Sequence, residues 1–276
     1  MFLVNGESRQ TLAISDRGLQ YGDGIFETLS VVNGKPVFLA AHLQRLLAGC
    51  QRLLIPDPDL DQLKQEIEQL CCDASQAVLK IIITRGSGGR GYRQPDPIHA
   101  TRILSLHPFP VYPLDFQQQG ISLRLCRQTV SINLGLAGIK HLNRLEQVLA
   151  RAEWQDDQVQ EGLMTDLNGL IIEGTMSNLF WIKAGVLHTP SLEQAGIAGI
   201  IRQIVLNIAQ QADIATSVDT VSAEQLVVAD EVFMTNSVIG IWPVRQFEQH
   251  TYAIGPITRR LQAWLAEASQ TQVEQA

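Results

Sequence analysis

The chain has no apolar run of eighteen residues, and its opening, Met1 to Glu7, carries no basic segment leading into a long apolar core. Neither a membrane span nor a secretion signal is expected, which makes the cytoplasm the expected compartment. Cysteine is scarce. Only Cys50, Cys71, Cys72 and Cys126 occur, without CxxC or metal-ligand spacing, and the adjacent pair is a poor disulfide candidate. Buried, reduced thiols and no metal centre are therefore expected. Basic charge is also short, with 21 Lys and Arg against 28 Asp and Glu for a net charge of -7. General nucleic-acid binding is disfavoured, so an anionic ligand must find a local cluster of arginines, lysines or backbone N–H groups. Internal repeats and low-complexity segments are absent.

What is present is an ordinary globular composition, 45% hydrophobic and 18% charged over 276 residues, enough for one or two domains. Asn5-Gly6 and Asn33-Gly34 read as hairpin turns between short strands at Phe2 to Val4, Ile25 to Val32 and Pro36 to Leu39. An amphipathic helix follows from Ala41 to the stop at Pro56, then a second from Leu60 to Cys71, then strands at Ala77 to Thr84 and Ala100 to His107. Three prolines between Pro108 and Pro113 mark a linker over residues 108–119. That gives a small α/β domain over 1–107 and a larger domain over 120–276. In the second, strands are expected at Ile121 to Cys126 and Thr129 to Ile132, with hairpins about Asn168-Gly169 and Ala184-Gly185. Helices are expected up to Trp154, from Ile200 to Ala212, from a capping box at Ser222 and Gln225, and from Pro256, with a frayed polar tail after Ala268.

Four features point to chemistry. Lys140 stands between Ile139 and the apolar face Leu142, Leu145, Val148, Leu149 and Ala152, just ahead of a helix for which Asn143 and Glu146 read as an N-cap pair. Most lysines beside apolar residues snorkel, but one that cannot reach bulk water suits a Schiff base. Glu173 ends the apolar strand Leu170 to Ile172, where most glutamates are solvated edge charges. Gly196 to Gly199 opens the Ile200 helix, a junction that suits a phosphate or is simply a tight turn. Finally, Gly86, Gly88 and Gly91 spell GxGxxG after a strand. No helix is expected to open there because Pro95 and Pro97 intervene, so this is no dinucleotide site. It reads either as a mobile surface loop or as a basic lid whose Arg85, Arg90 and Arg93 meet a carboxylated ligand.

Together, the segments Asp16 to Thr28, His42 to Leu46, Lys140, Glu173 to Phe180, Gly199 to Arg202 and Ala229 to Ser237 resemble the fold-type IV pyridoxal-phosphate enzymes over nearly the whole chain. Within that family, Ala137 to Val148 and Arg85 to Tyr92 are similar to the lyases that act on 4-amino-4-deoxychorismate. The resemblance implies an α/β (α+β) fold, with a small N-terminal α/β domain and a larger C-terminal domain whose sheet is barrel-like. It implies a homodimer with active sites near the interface, acting on a small molecule with pyridoxal 5'-phosphate. Lys140 would carry the cofactor and Glu173 would face its pyridine nitrogen. Arg45, the N–H groups of Ile200 and Ile201, and the Ser237 hydroxyl would hold its phosphate, with Asn178 packing nearby. Arg85, Arg90, Tyr92, Phe26 and Thr28 would meet the substrate. One position departs from the branched-chain aminotransferases, where the fifth residue after the lysine is a tyrosine on the cofactor's 3'-oxygen; here it is Leu145. That departure favours a lyase over the runner-up, a D-amino-acid or branched-chain aminotransferase. A non-catalytic cofactor carrier would have no use for Glu173.

Overall fold

The computed structural model describes residues 1–275. The chain divides into two compact units: Met1–Pro110 with Lys140–Asn143 and the stretch from Ser269 form the first, and Val111–Ile139 with Arg144–Ala268 form the second. One division falls within the proline-rich stretch; the others fall after residues 139, 143 and 268, so neither unit is one continuous segment.

The first unit carries β1 (Phe2–Val4), β2 (Glu7–Ser8), α1 (Arg17–Tyr21), β3 (Gly24–Val32), β4 (Lys35–Pro36), α2 (Leu39–Arg52), α3 (Leu60–Cys71), β5 (Gln76–Thr84) and β6 (Thr101–Pro108). Its six strands form an antiparallel sheet in the order β2-β1-β6-β5-β3-β4. Side chains alternate along β3, so Ile25, Leu29 and Val31 are buried on one face with Glu27, and Phe26, Thr28 and Ser30 lie on the other. Leu43, Leu46 and Cys50 of α2 and Leu63, Ile67 and Leu70 of α3 supply the helical side of this core. Asp59 caps α3 by accepting from the N–H groups of Asp61 and Gln62. The strand expected over Pro36 to Leu39 ends at Pro36. Phe38 adopts φ 56°, turning the chain directly into α2 at Leu39.

In the second unit the elements are α4 (Asp115–Gln118), β7 (Ile121–Leu125), α5 (Leu145–Arg151), β8 (Glu161–Thr165), β9 (Ile171–Gly174), β10 (Asn178–Lys183), β11 (Val186–Pro190), α6 (Ile200–Gln211), β12 (Thr216–Asp219), α7 (Ala223–Val227), β13 (Glu231–Asn236), β14 (Gly240–Phe247), β15 (His250–Thr251) and α8 (Pro256–Gln275). A nine-stranded mixed sheet runs β12-β11-β10-β13-β14-β7-β8-β9, with β15 on β14. Terminal strand β9 also packs against β10 and β11 near the opposite end, so the sheet curls towards a barrel without closing. Ile121, Leu123, Leu179, Met234, Trp242 and Phe247 fill its core.

Three local expectations fail. No strand forms over Thr129 to Ile132, because after the bond from the Val130 N–H to the Thr165 carbonyl the next donor, the Ser131 N–H, is taken by the Glu146 carboxylate. That same contact removes Glu146 from capping. Asn143 instead donates to the Gly22 carbonyl, and α5 starts at Leu145 with no side-chain cap. The tail after Ala268 is helical, since α8 continues to Gln275. All four cysteines are free and three are buried, but Cys72 is exposed. Burial pushes the Cys50 and Cys126 thiols up to about 12 and Cys71 up to about 11, which keeps them protonated and unreactive at neutral pH.

Candidate active site

Lys140 is placed by backbone pairing with β3. The Phe26 N–H donates to the Lys140 carbonyl at 2.9 Å and the Leu142 N–H donates to the Gly24 carbonyl at 3.0 Å, so the lysine segment lies beside the strand like a short extra one. The close approach requires glycine at position 24: a Cβ there would lie 2.8 Å from Leu142 Cδ1 and 2.5 Å from the Ile83 carbonyl oxygen. Half-buried, Lys140 holds Nζ 4.3 Å from the centre of the Phe26 ring, a cation–π contact that fixes its direction. Thr28 follows Phe26 on that face.

On the opposite face of β3 lies a group the sequence reading passed over. Glu27, 1% exposed, accepts from His42 Nδ1 at 2.6 Å and from Arg45 Nε and Nη2 at 2.8 and 2.5 Å. Burial pulls the Glu27 carboxyl up, but hydrogen bonds from Arg45 and His42 outweigh it and hold the group below the usual carboxylate range. Burial pushes the His42 imidazole down despite Glu27. A neutral His42 must then carry its proton on Nδ1, because a carboxylate can only accept. Arg45 is therefore an oriented guanidinium whose side chain is 15% exposed. The available signal was a carboxylate in phase with buried Ile25, Leu29 and Val31, which demands a partner, and His42 with Arg45 three residues on.

The basic loop is anchored at its base, which corrects the reading of Arg85. Arg85 is 4% exposed; it forks onto Asp23 and donates to the carbonyls of Leu53 and Leu54, so its guanidinium is committed to bracing the fold. Arg17 shares Asp23 and reaches the Gly91 carbonyl at 3.0 Å. Although burial pulls the Asp23 carboxyl up, the two arginines hold it below its usual range. At Gly86 and Gly89 a Cβ would meet the His99 and Arg93 carbonyl oxygens at 1.8 and 2.2 Å, so these glycines serve loop packing, and β6 follows where a dinucleotide site needs a helix. Arg90 and Tyr92 remain exposed, with Tyr92 against Tyr21.

In the second unit, Glu173 is 3% exposed near the end of β9, and its Oε2 accepts from the Ile197 N–H at 2.8 Å. Asn178 starts β10 and donates to the Ile197 carbonyl at 2.9 Å. Both side chains thus grip one residue of the strap Gly196 to Gly199. The strap is tied as well to Gly138, two residues before Lys140: the Gly138 N–H donates to the Gly196 carbonyl and the Ala198 N–H to the Gly138 carbonyl. Gly199 enters α6 in extended conformation without a side-chain cap. A Cβ there would lie 1.9 Å from Asn178 Oδ1. The first N–H groups of the twelve-residue helix α6 carry partial positive charge and have no side-chain cap from Gly199. Ser237 lies in a turn pinned by Asn236, whose Oδ1 accepts from the Val238 and Ile239 N–H groups. Arg144, just ahead of α5, is half-buried. Burial lowers the pKa of its guanidinium, while Glu173 and Glu146 act against that shift. Leu145 is 76% exposed.

The family model of amino-transferase class IV matches residues 24–247, a span that contains Lys140, Glu173, Asn178 and Ser237. The chain belongs to that family. It is 36% identical over 266 residues to an aminodeoxychorismate lyase of Vibrio harveyi, covering 95% of this chain and 98% of the relative. The crystal structure of a 4-amino-4-deoxychorismate lyase from Pseudomonas aeruginosa superposes with a TM-score of 0.94 at 45% identity, covering 97% of this chain and 98% of the other. A branched-chain amino acid aminotransferase of Escherichia coli shares the fold at TM-score 0.87 and 26% identity, over 98% and 95% of the two chains.

Proposed function

We propose that this chain is a pyridoxal-phosphate-dependent lyase that converts 4-amino-4-deoxychorismate to 4-aminobenzoate, a folate precursor, and pyruvate. The observation that carries the reading is the identity of 36% and 45% to two such lyases across nearly the full length, against 26–29% to branched-chain aminotransferases of Escherichia coli. The residues fit the cofactor. A directed lysine, a buried carboxylate, an oriented arginine and a helix end without a side-chain cap are the partners that an aldehyde, a pyridine nitrogen and a phosphate require.

In this assignment Lys140 would hold the cofactor, Glu173 would face its ring nitrogen, and Arg45, the Ile200 and Ile201 N–H groups and the Ser237 hydroxyl would hold its phosphate beside Asn178. Bound there, pyridoxal phosphate supplies an electron sink for the carbon that bears the substrate amine. Lys140 would take the ring proton from the same carbon. The neighbouring carbon–oxygen bond breaks, its electron pair leaves with the enolpyruvyl oxygen, and the ring becomes aromatic. Protonation of the departing enolpyruvate, with Lys140 as the donor, gives pyruvate. Phe26, Thr28, Arg90 and Tyr92 are assigned to the substrate. We infer a cytoplasmic protein that works as a homodimer; the homodimer is supported by the exposed apolar side of α5, where Leu145, Val148 and Leu149 show 76%, 60% and 57% of their surface.

The test is to incubate purified protein and cofactor with 4-amino-4-deoxychorismate and no 2-oxo acid, following 4-aminobenzoate fluorescence and pyruvate. Release of both in equal amounts is expected. Strict dependence on added 2-oxoglutarate would assign the chain to the aminotransferases instead.

A further inference from the structure

Glu161 begins β8 and is 1% exposed. Five donors converge on its carboxylate: Oε1 accepts from the N–H groups of Gly162 and Thr175 at 2.9 and 3.1 Å and from the Thr175 hydroxyl at 2.5 Å, while Oε2 accepts from the Met176 N–H at 3.2 Å and the Ser177 hydroxyl at 2.7 Å. None of the five is a cation. An acceptor-only group so enclosed dictates where its donors stand, because each one lost leaves a buried polar group unsatisfied. Four of the donors belong to Thr175, Met176 and Ser177, the turn between β9 and β10. The turn is packed to contact: a Cβ on Gly174 would lie 2.5 Å from Ser177 Oγ and 3.1 Å from Glu161 Cδ.

The two ends of that turn are Glu173 and Asn178, and both grip Ile197 of the strap leading into α6. A third connection leaves its middle, where the Met176 carbonyl accepts from Asn236 Nδ2 at 3.1 Å; Asn236 in turn pins the turn containing Ser237. One carboxylate therefore underlies the positions of Glu173, the N-terminus of α6 and the Ser237 turn. We infer that Glu161 is a positioning residue for the cofactor site, acting through the turn Thr175 to Ser177 and touching neither cofactor nor substrate. The inference rests on the functional reading above for what is positioned, whereas the mechanical coupling stands on the hydrogen bonds alone.

Glu161→Gln keeps the volume but aims an amide NH2 at backbone N–H groups that can only donate, and the Thr175 or Ser177 hydroxyl that turns to accept it gives up its own bond to the carboxylate. Hydrogen–deuterium exchange of cofactor-free protein reads the coupling directly. In E161Q, peptides covering 173–178, 196–201 and 236–239 should exchange at least several-fold faster, with 24–32 unchanged. Glu66→Gln is the control, since it breaks the buried contact of Glu66 with Arg102 in the first unit and should leave those three segments as they are. With pyridoxal phosphate, E161Q should bind about tenfold or more weakly by equilibrium dialysis and show a shifted absorbance band. Acceleration confined to 174–177, or E161Q matching E66Q in affinity and spectrum, overturns the inference. Should E161Q fail to fold, Ser177→Ala removes one donor only, and must still speed exchange at 196–201. Wild-type protein that binds no pyridoxal phosphate would refute the functional reading, and the exchange experiment would still decide the role of Glu161.

Discussion

At the scale of single residues, the chemistry assigned to this chain depends on partners that restrict motion. Lys140 is aimed by the Phe26 ring, and its backbone is bonded to β3. Lys140→Ala is expected to leave no cofactor on the protein after borohydride reduction, measured by intact mass, and to abolish nearly all turnover; an adduct retained by the mutant would show that another group forms the linkage. Glu27, His42 and Arg45 carry a pH signature. The His42 pKa is depressed in the fold, so the unfolded chain takes up a proton before the folded one as pH falls below about 6.5. Stability associated with neutral His42 is full above that pH and declines on the way down. Below about pH 4.3 the depressed carboxyl of Glu27 adds a loss of the same sign, complete once pH has passed its folded value. His42→Asn retains a donor for Glu27 and has no proton to gain. Thermal unfolding between pH 7 and 5 should consequently be flatter in H42N than in wild type, with the acid limb below pH 4 retained.

At the scale of elements, α5 is the one whose pattern and placement diverge. Leu142, Leu145, Val148, Leu149 and Ala152 have the spacing of a helix face that packs inward, yet three of them are largely exposed. An amphipathic helix seeks apolar cover, and in the homodimer proposed above a partner copy would supply it. Leu149→Lys is therefore predicted to halve the mass measured by light scattering, or at least raise the dimer dissociation constant by tenfold or more. An unchanged mass across dilution would move the interface off this face. The strap Gly196 to Gly199 behaves oppositely. Its sequence suits a phosphate or a tight turn, and the structure shows it held from Gly138, Glu173 and Asn178.

For the whole molecule, the same scaffold carries lyases and aminotransferases, as the TM-scores of 0.94 and 0.87 show. Fold alone cannot choose between them. The proposed choice rests on sequence identity, 36% and 45% to two lyases against 26% to the aminotransferase, and the resemblance adds Leu145 where the branched-chain aminotransferases have a tyrosine. In that reading elimination needs no second substrate, because once the enolpyruvyl group departs an aromatic ring has formed and the reverse path is steeply uphill.

Local pattern by itself determined a good deal of this protein. The spans of α3 and α6, the hairpins about Asn168-Gly169 and Ala184-Gly185, and the capping box at Ser222 depend on periodicity and turn chemistry within a few residues of one another, so they are legible without a fold. Lys140 and Glu173 stood out for the same reason, as charges in apolar runs. Tertiary structure decided the rest. That Arg85 is a brace, that Glu146 bonds Ser131 rather than capping α5, that Glu27 binds residues fifteen and eighteen positions away, and that Glu161 anchors a turn fourteen to sixteen residues on all depend on partners distant in sequence. A buried charged group advertises that it needs a partner, but which one it finds is settled only when strands and helices bring the candidates within 3 Å or so of each other.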